Sequence, residues 1–77
     1  MMKVYTVILI KDLEDYAYDR YKPGATINEI VDDLTYQINR YGADFDEIAI
    51  LDVNDDDPAI YYDVVSKDGK YELVESV

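Results

Sequence analysis

Cysteine, histidine and tryptophan are absent from this 77-residue sequence, and phenylalanine occurs once. Without cysteine neither a disulfide nor a thiolate metal site can reinforce the fold, so stability has to come from packing. With no histidine or cysteine, and with Ser66 and Ser76 as the only serines, no nucleophile–base triad can be assembled. The three glycines stand apart at 24, 42 and 69, each in a turn or cap position, which excludes a phosphate-cradling loop. Long hydrophobic runs are missing too. The apolar stretch Val4 to Ile10 is followed at once by Lys11 and Asp12, too short for a signal h-region with its cleavage site and far short of a membrane span. A soluble, cytoplasmic protein is expected.

Positive charge is the scarcest commodity after these. Seven Lys and Arg stand against eighteen Asp and Glu, a formal charge of −11. Such a balance opposes compaction and repels nucleic acid and anionic membranes, so neither is expected as a direct partner. High charge can also signal disorder, but 49% of the residues are apolar and they are periodic. One domain over 1–77 is expected, burying only about 60–65% of the surface of its unfolded chain.

The clearest element lies between Thr26 and Gly42. Thr26 and Glu29 have capping-box spacing, and Gly42 supplies a stop. Ile27, Ile30, Val31, Leu34, Ile38 and Tyr41 make one apolar stripe at helical period, predicting a helix over about 26–41. Val4 to Ile10 is apolar on both alternating sets and reads as a central strand. Residues 11–21 fit both a strand, turning back at Asp12 to Asp15, and a helix capped by Asp12; the density of tyrosine favours the strand. Lys22-Pro23-Gly24 breaks either element.

After a polar linker, Ala43 to Asp46, Glu47 to Val53 reads as a strand and Asn54 to Pro58 as a loop. Ala59 to Ser66 and Tyr71 to Ser76 form a hairpin about Asp68-Gly69. A two-residue turn sets Val64 opposite Leu73, Ser66 opposite Tyr71 and Tyr62 opposite Glu75. Ile60, Tyr62, Val64, Tyr71 and Leu73 then share one face, and Tyr61, Asp63, Val65, Glu72 and Val74 the other. The fold class is α+β, with one main helix on a mostly antiparallel sheet of four to five strands in the order β-(β)-α-β-β-β. That order, with the PGAT turn entering the helix, resembles the β-grasp arrangement of ubiquitin-like domains, although the C-terminal Gly-Gly of conjugating members is missing.

Asp52 to Asp63 places oxygen side chains at positions 1, 3, 5 and 12 of an EF-hand-like register. Asp57 stands where the turn needs glycine, Asp63 where a bidentate Glu is needed, and the flanks read as strands. A solvated acidic turn fits better than a metal site, and no cofactor is expected. Nine tyrosines are the other unusual feature. Tyr5, Tyr41, Tyr62 and Tyr71 fit core positions with the hydroxyl at the rim. Tyr36 lies opposite the helix stripe among Glu29, Asp32, Asp33 and Arg40, and Tyr61 lies on the outer sheet face, so both are candidate contact residues.

A net charge of about 2–8 suffices for solubility, so the excess acid points to a basic partner reached by electrostatic steering. The acidic groups at Glu29, Asp32 and Asp33, at Asp44, Asp46 and Glu47, at Asp52, Asp55, Asp56 and Asp57, and at Asp12, Glu14, Asp15 and Asp19, interleaved with Tyr16, Tyr18, Tyr36 and Tyr61, resemble the class of small acidic phage-encoded inhibitors that mimic nucleic acid: anti-CRISPR, anti-restriction and uracil-DNA glycosylase inhibitor types. The resemblance implies a non-enzymatic inhibitor whose carboxylates occupy a basic nucleic-acid-binding surface of a partner protein. Partner contacts are expected from Glu29, Asp32, Asp33, Tyr36, Asp55, Asp56, Asp57 and Tyr61. Two other readings stand beside it: a scaffold module that homodimerises through the uncovered sheet face, and a weak divalent-cation binder at Asp52 to Asp63.

Overall fold

The computed structural model describes residues 3–52 and 58–76. Five strands and one helix follow in the order β1 (Tyr5–Lys11), β2 (Glu14–Arg20), α1 (Ile27–Tyr41), β3 (Glu47–Asp52), β4 (Ile60–Lys67) and β5 (Lys70–Glu75). The strands make one sheet, β2-β1-β3-β4-β5, in which every pairing is antiparallel. The strand that tyrosine density favoured within residues 11–21 is β2, Glu14–Arg20, and the α+β class holds. The β-grasp likeness stops at element order, since β1 has two antiparallel neighbours and the last strand lies at an edge. β1 is interior, but the central position belongs to β3.

The helix begins where its cap predicts. Thr26 Oγ1 accepts the Glu29 amide at 3.1 Å, and the Glu29 carboxylate accepts the Thr26 amide at 3.1 Å. Gly42, at φ +89°, ends it by donating its N–H to the Ile38 carbonyl. Ile30, Leu34 and Ile38 are buried, and Ile30 and Leu34 pack with Val7, Ala25, Ile48 and Ile50 in one cluster. Tyr5, Leu9, Tyr62 and Leu73 extend it across the same face of the sheet. All buried residues among those described are apolar.

Tyr41 departs from expectation. It is 77% exposed, its ring stacked near the Arg40 guanidinium, whose Nε donates to the phenol oxygen at 3.2 Å. The core at that end is closed instead by Phe45, which comes from the segment read as a polar linker. Tyr41 occupies the last helical position and is left at the rim. In the same segment, the Asp46 amide donates to the Ile10 carbonyl and its carboxylate accepts the Asp12 amide at 3.2 Å, fastening the β1–β2 turn.

Both hairpins turn in two residues with positive φ, the geometry that matches strand twist. Asp68 (φ 52°) and Gly69 (φ 78°) connect β4 and β5 in the register expected, with Val64 opposite Leu73 and Ser66 opposite Tyr71. Asp12 (φ 52°) and Leu13 (φ 68°) connect β1 and β2, a tighter turn than the expected Asp12 to Asp15. β2 bulges between the partners of Leu9 and Ile10, which leaves Tyr16 as the extra residue. At the opposite edge, the Asn39 side chain accepts the Tyr71 amide at 2.8 Å and donates to the Tyr71 carbonyl at 3.0 Å. A side-chain amide thus takes the place of a neighbouring strand.

Two measurements test this fold. Leu34→Ala should lower unfolding free energy by about 2–5 kcal/mol in urea titration, as expected for a truncated buried leucine. Leu13 is 94% exposed at φ +68°, so Leu13→Gly removes strain without removing packing. Relief of about 1–2 kcal/mol, less about 0.4–1 kcal/mol for the freer unfolded chain, should leave a net gain of about 0.5–1 kcal/mol.

Candidate functional site

Helix geometry brings Glu29, Asp32, Asp33 and Tyr36 onto the surface of α1 turned away from the sheet, because i, i+3, i+4 and i+7 share a face. Tyr36 is 62% exposed. Glu29 is anchored by the capping box. Asp33 accepts the Tyr21 hydroxyl at 2.8 Å and the Gln37 amide at 2.9 Å, leaving its carboxylate fixed in direction. Asp32 has no hydrogen bond or ion pair among the described residues. Beside these groups an open groove of about 450 Å³ runs between β2 and α1, walled by Asp19, Tyr21, Glu29 and Asp33 with Arg20 and Lys22 at its rim.

The remaining predicted contacts do not join this surface. Tyr61 is exposed on the outer face of the sheet, on the far side of the molecule from Tyr36, since its cross-strand partner Ala49 alternates with the core residues Ile48 and Ile50. Asp55, Asp56 and Asp57 lie outside the described residues. Asp52 and Asp63, the two ends of the EF-hand-like register, fall at opposite ends of the β3–β4 pair: Asp63 is paired with Glu47, five residues from Asp52. At about 3.3 Å per residue that is roughly 16 Å, too far for both to ligate one ion. Among the described residues no cluster of three His, Cys, Asp or Glu side chains is arranged to hold a metal.

Charge is divided unequally between the two sides. By strand alternation the outer sheet face carries Asp15, Glu47, Asp63 and Glu72 against Arg20, Lys67 and Lys70, close to balance. Elsewhere among the described residues eleven carboxylates stand with Lys3, Lys11, Lys22 and Arg40, and Arg20 also lines the groove beside Glu29 and Asp33. The helix side and the turns are where the acid lies. Asp19 belongs to the acidic group expected around the first turn, whereas Tyr21 is not among the expected contacts: it meets Asp33 across twelve residues, a proximity that periodicity does not carry.

Three tyrosines have raised pKa values. Burial, and then the hydrogen bond to Asp33, push Tyr21 up far. The bond donated to Asp15 at 2.9 Å raises Tyr18, and burial followed by the Glu75 charge raises Tyr62. In each case the neighbour favours the protonated phenol. No helix among the described residues is long and apolar enough to cross a membrane. No family model, curated protein or solved structure matches the chain.

The Tyr21 geometry sets a pH dependence. A phenol held protonated in the fold adds stability that is complete below its unfolded pKa of about 10 and is lost as pH rises past that value. Unfolding midpoints should therefore fall above pH ~10, and Tyr21→Phe should make the fall shallower, with Tyr18 and Tyr62 sustaining the remainder.

Proposed function

We propose that this chain is a non-enzymatic acidic binding protein that occupies the basic, nucleic-acid-binding surface of a partner protein, its carboxylates standing where phosphates would. The observation that carries the reading is the division of charge: the acid is gathered off the outer sheet face, and part of it is fixed on the one helix beside an exposed tyrosine. Glu29 and Asp33 are held by hydrogen bonds before any partner arrives, so less side-chain freedom is lost on binding. Charge-assisted bonds from Arg and Lys would supply direction, and Tyr36 a rigid anchor with a polar tip. The fixed carboxylates follow one another at i and i+4, with Cβ atoms about 5–6 Å apart, a regular row of negative charge.

An inhibitory role, in the manner of phage-encoded mimics, follows from the same surface: a partner holding it cannot hold nucleic acid. The proposed contact set is Glu29, Asp32, Asp33 and Tyr36, with Asp19 at the groove. Tyr61, on the opposite side, belongs to a different surface.

Affinity capture from lysate at low and high salt, with duplex DNA as competitor, tests the reading. Basic nucleic-acid-binding proteins should be enriched at low salt, released on raising salt several-fold, and displaced by DNA. Tyr36→Ala should weaken capture about tenfold or more while leaving the urea midpoint nearly unchanged, since the ring supports no core contact. Enrichment of no basic protein at low salt would count against the proposal.

A further inference from the structure

The sheet has two faces and α1 covers one of them. Across the other runs a row of cross-strand neighbours, Tyr18, Ile8, Ala49 and Tyr61, flanked by Thr6 and Leu51 on one side and on the other by Ile10, Glu47, Asp63 and Val74, in which two carboxylates stand opposite one another. An antiparallel sheet that ends at water ordinarily alternates apolar with polar residues. Here the outward positions of β1 and β3 are mostly apolar; Ala49 and Ile10 are already buried under their neighbours, and the open apolar surface is that of Tyr18, Tyr61, Val65 and Val74, all exposed.

Neither edge of the sheet offers an easier docking route. At β5 the Asn39 amide already occupies the backbone of Tyr71. At β2 the bulge at Tyr16 and the charges of Asp15, Asp19 and Arg20 interrupt a flat edge. A partner of the sheet would therefore meet its open face.

We infer that this face is a homodimer interface, occupied by a second copy of the chain with the two sheets packed together. Charge selects the occupant. A second copy is as acidic as the first and can approach only where the surface is near neutral, and the outer face, with four carboxylates and three cations, meets that condition. Face-to-face packing also turns the two helix sides outward. With two sheets about 10 Å apart between them, the acidic surfaces lie well beyond the ~8 Å Debye length at physiological salt. Five strands at about 4.8 Å spacing and roughly 20 Å length give each sheet a face of about 480 Å², so a dimer buries on the order of 1,000 Å², below standard specific interfaces and in the range of weak, transient ones. The dimer is accordingly one of folded monomers in exchange. It carries an acidic helix surface on each side.

Salt gives the inference a signature of its own. Two copies of charge −11 repel at long range, and screening weakens that repulsion, so dimerisation tightens as salt rises. Binding of a basic partner moves the opposite way. The inference does not rest on the proposed function, and a strict monomer that still captures a basic partner would overturn only the dimer.

The test is sedimentation equilibrium of the full chain up to about 1 mM, at about 50 and 500 mM NaCl. The weight-average mass should climb from the 8.9 kDa chain mass toward twice that value, further at high salt. Tyr61→Glu or Val74→Glu, each at an already exposed site, should raise the dimer dissociation constant more than about tenfold with the circular dichroism spectrum kept, and Tyr36→Glu should leave it unchanged. Amide shifts of the unaltered chain on dilution should concentrate in β1, β3 and β4, a readout independent of how the variants fold. The chain mass at every concentration and salt, or dilution shifts confined to α1, would overturn the inference.

Discussion

A single apolar layer, closed where Ile30 and Leu34 of α1 meet Val7, Ile48 and Ile50 of the sheet, is the contact on which the rest of the molecule depends. There is one helix to bury one face, and no disulfide to share the load. Because the buried residues among those described are all apolar, no carboxylate is drawn inward to be neutralised, and the acid is carried at the surface. Fold and surface are thus coupled by subtraction. The narrower the core, the more of the chain remains outside to carry charge.

The surface charge is not uniform in its use. Asp46 fastens the first hairpin turn, Glu29 completes a helix cap, and Asp33 takes a tyrosine hydroxyl and a glutamine amide. These groups are scaffold as well as surface. Their orientation is set by the fold, whereas Asp32 beside them makes no hydrogen bond or ion pair among the described residues. A partner reading this surface would meet bonded and unbonded acceptors interleaved along one helix.

What could be read from sequence was whatever a local rule specifies. The capping box at Thr26 and Glu29, the stop at Gly42, and the Asp68-Gly69 register each rest on a spacing of a few residues, and each is in place. The sheet order, the exposure of Tyr41 and the role of Phe45 depend on which segments meet after folding. Helical period assigned Tyr41 to the stripe because it records angle and not where the sheet ends. A lone phenylalanine among polar neighbours gave no period at all. The candidate surface was half legible: Tyr36 and its acidic neighbours followed from helix phase, while the link from Tyr21 to Asp33 needed the turn between β2 and α1 to be drawn in space. Tyr61 was placed correctly on the outer face, and only the sheet's geometry shows that this sets it apart from Tyr36.

The Asn39 clasp on Tyr71 has a consequence for how the protein opens. It joins the last turn of α1 to the outer edge of β5 at Tyr71, so fraying of the helix end frees the backbone N–H and C=O of that residue. Helix ends ordinarily open at small free-energy cost. Here the same opening would uncover a template for strand addition, and the clasp raises its cost by two hydrogen bonds. How open the β5 edge is at Tyr71 thus depends on the stability of a helix terminus, a local quantity that can change while the global unfolding free energy stays the same.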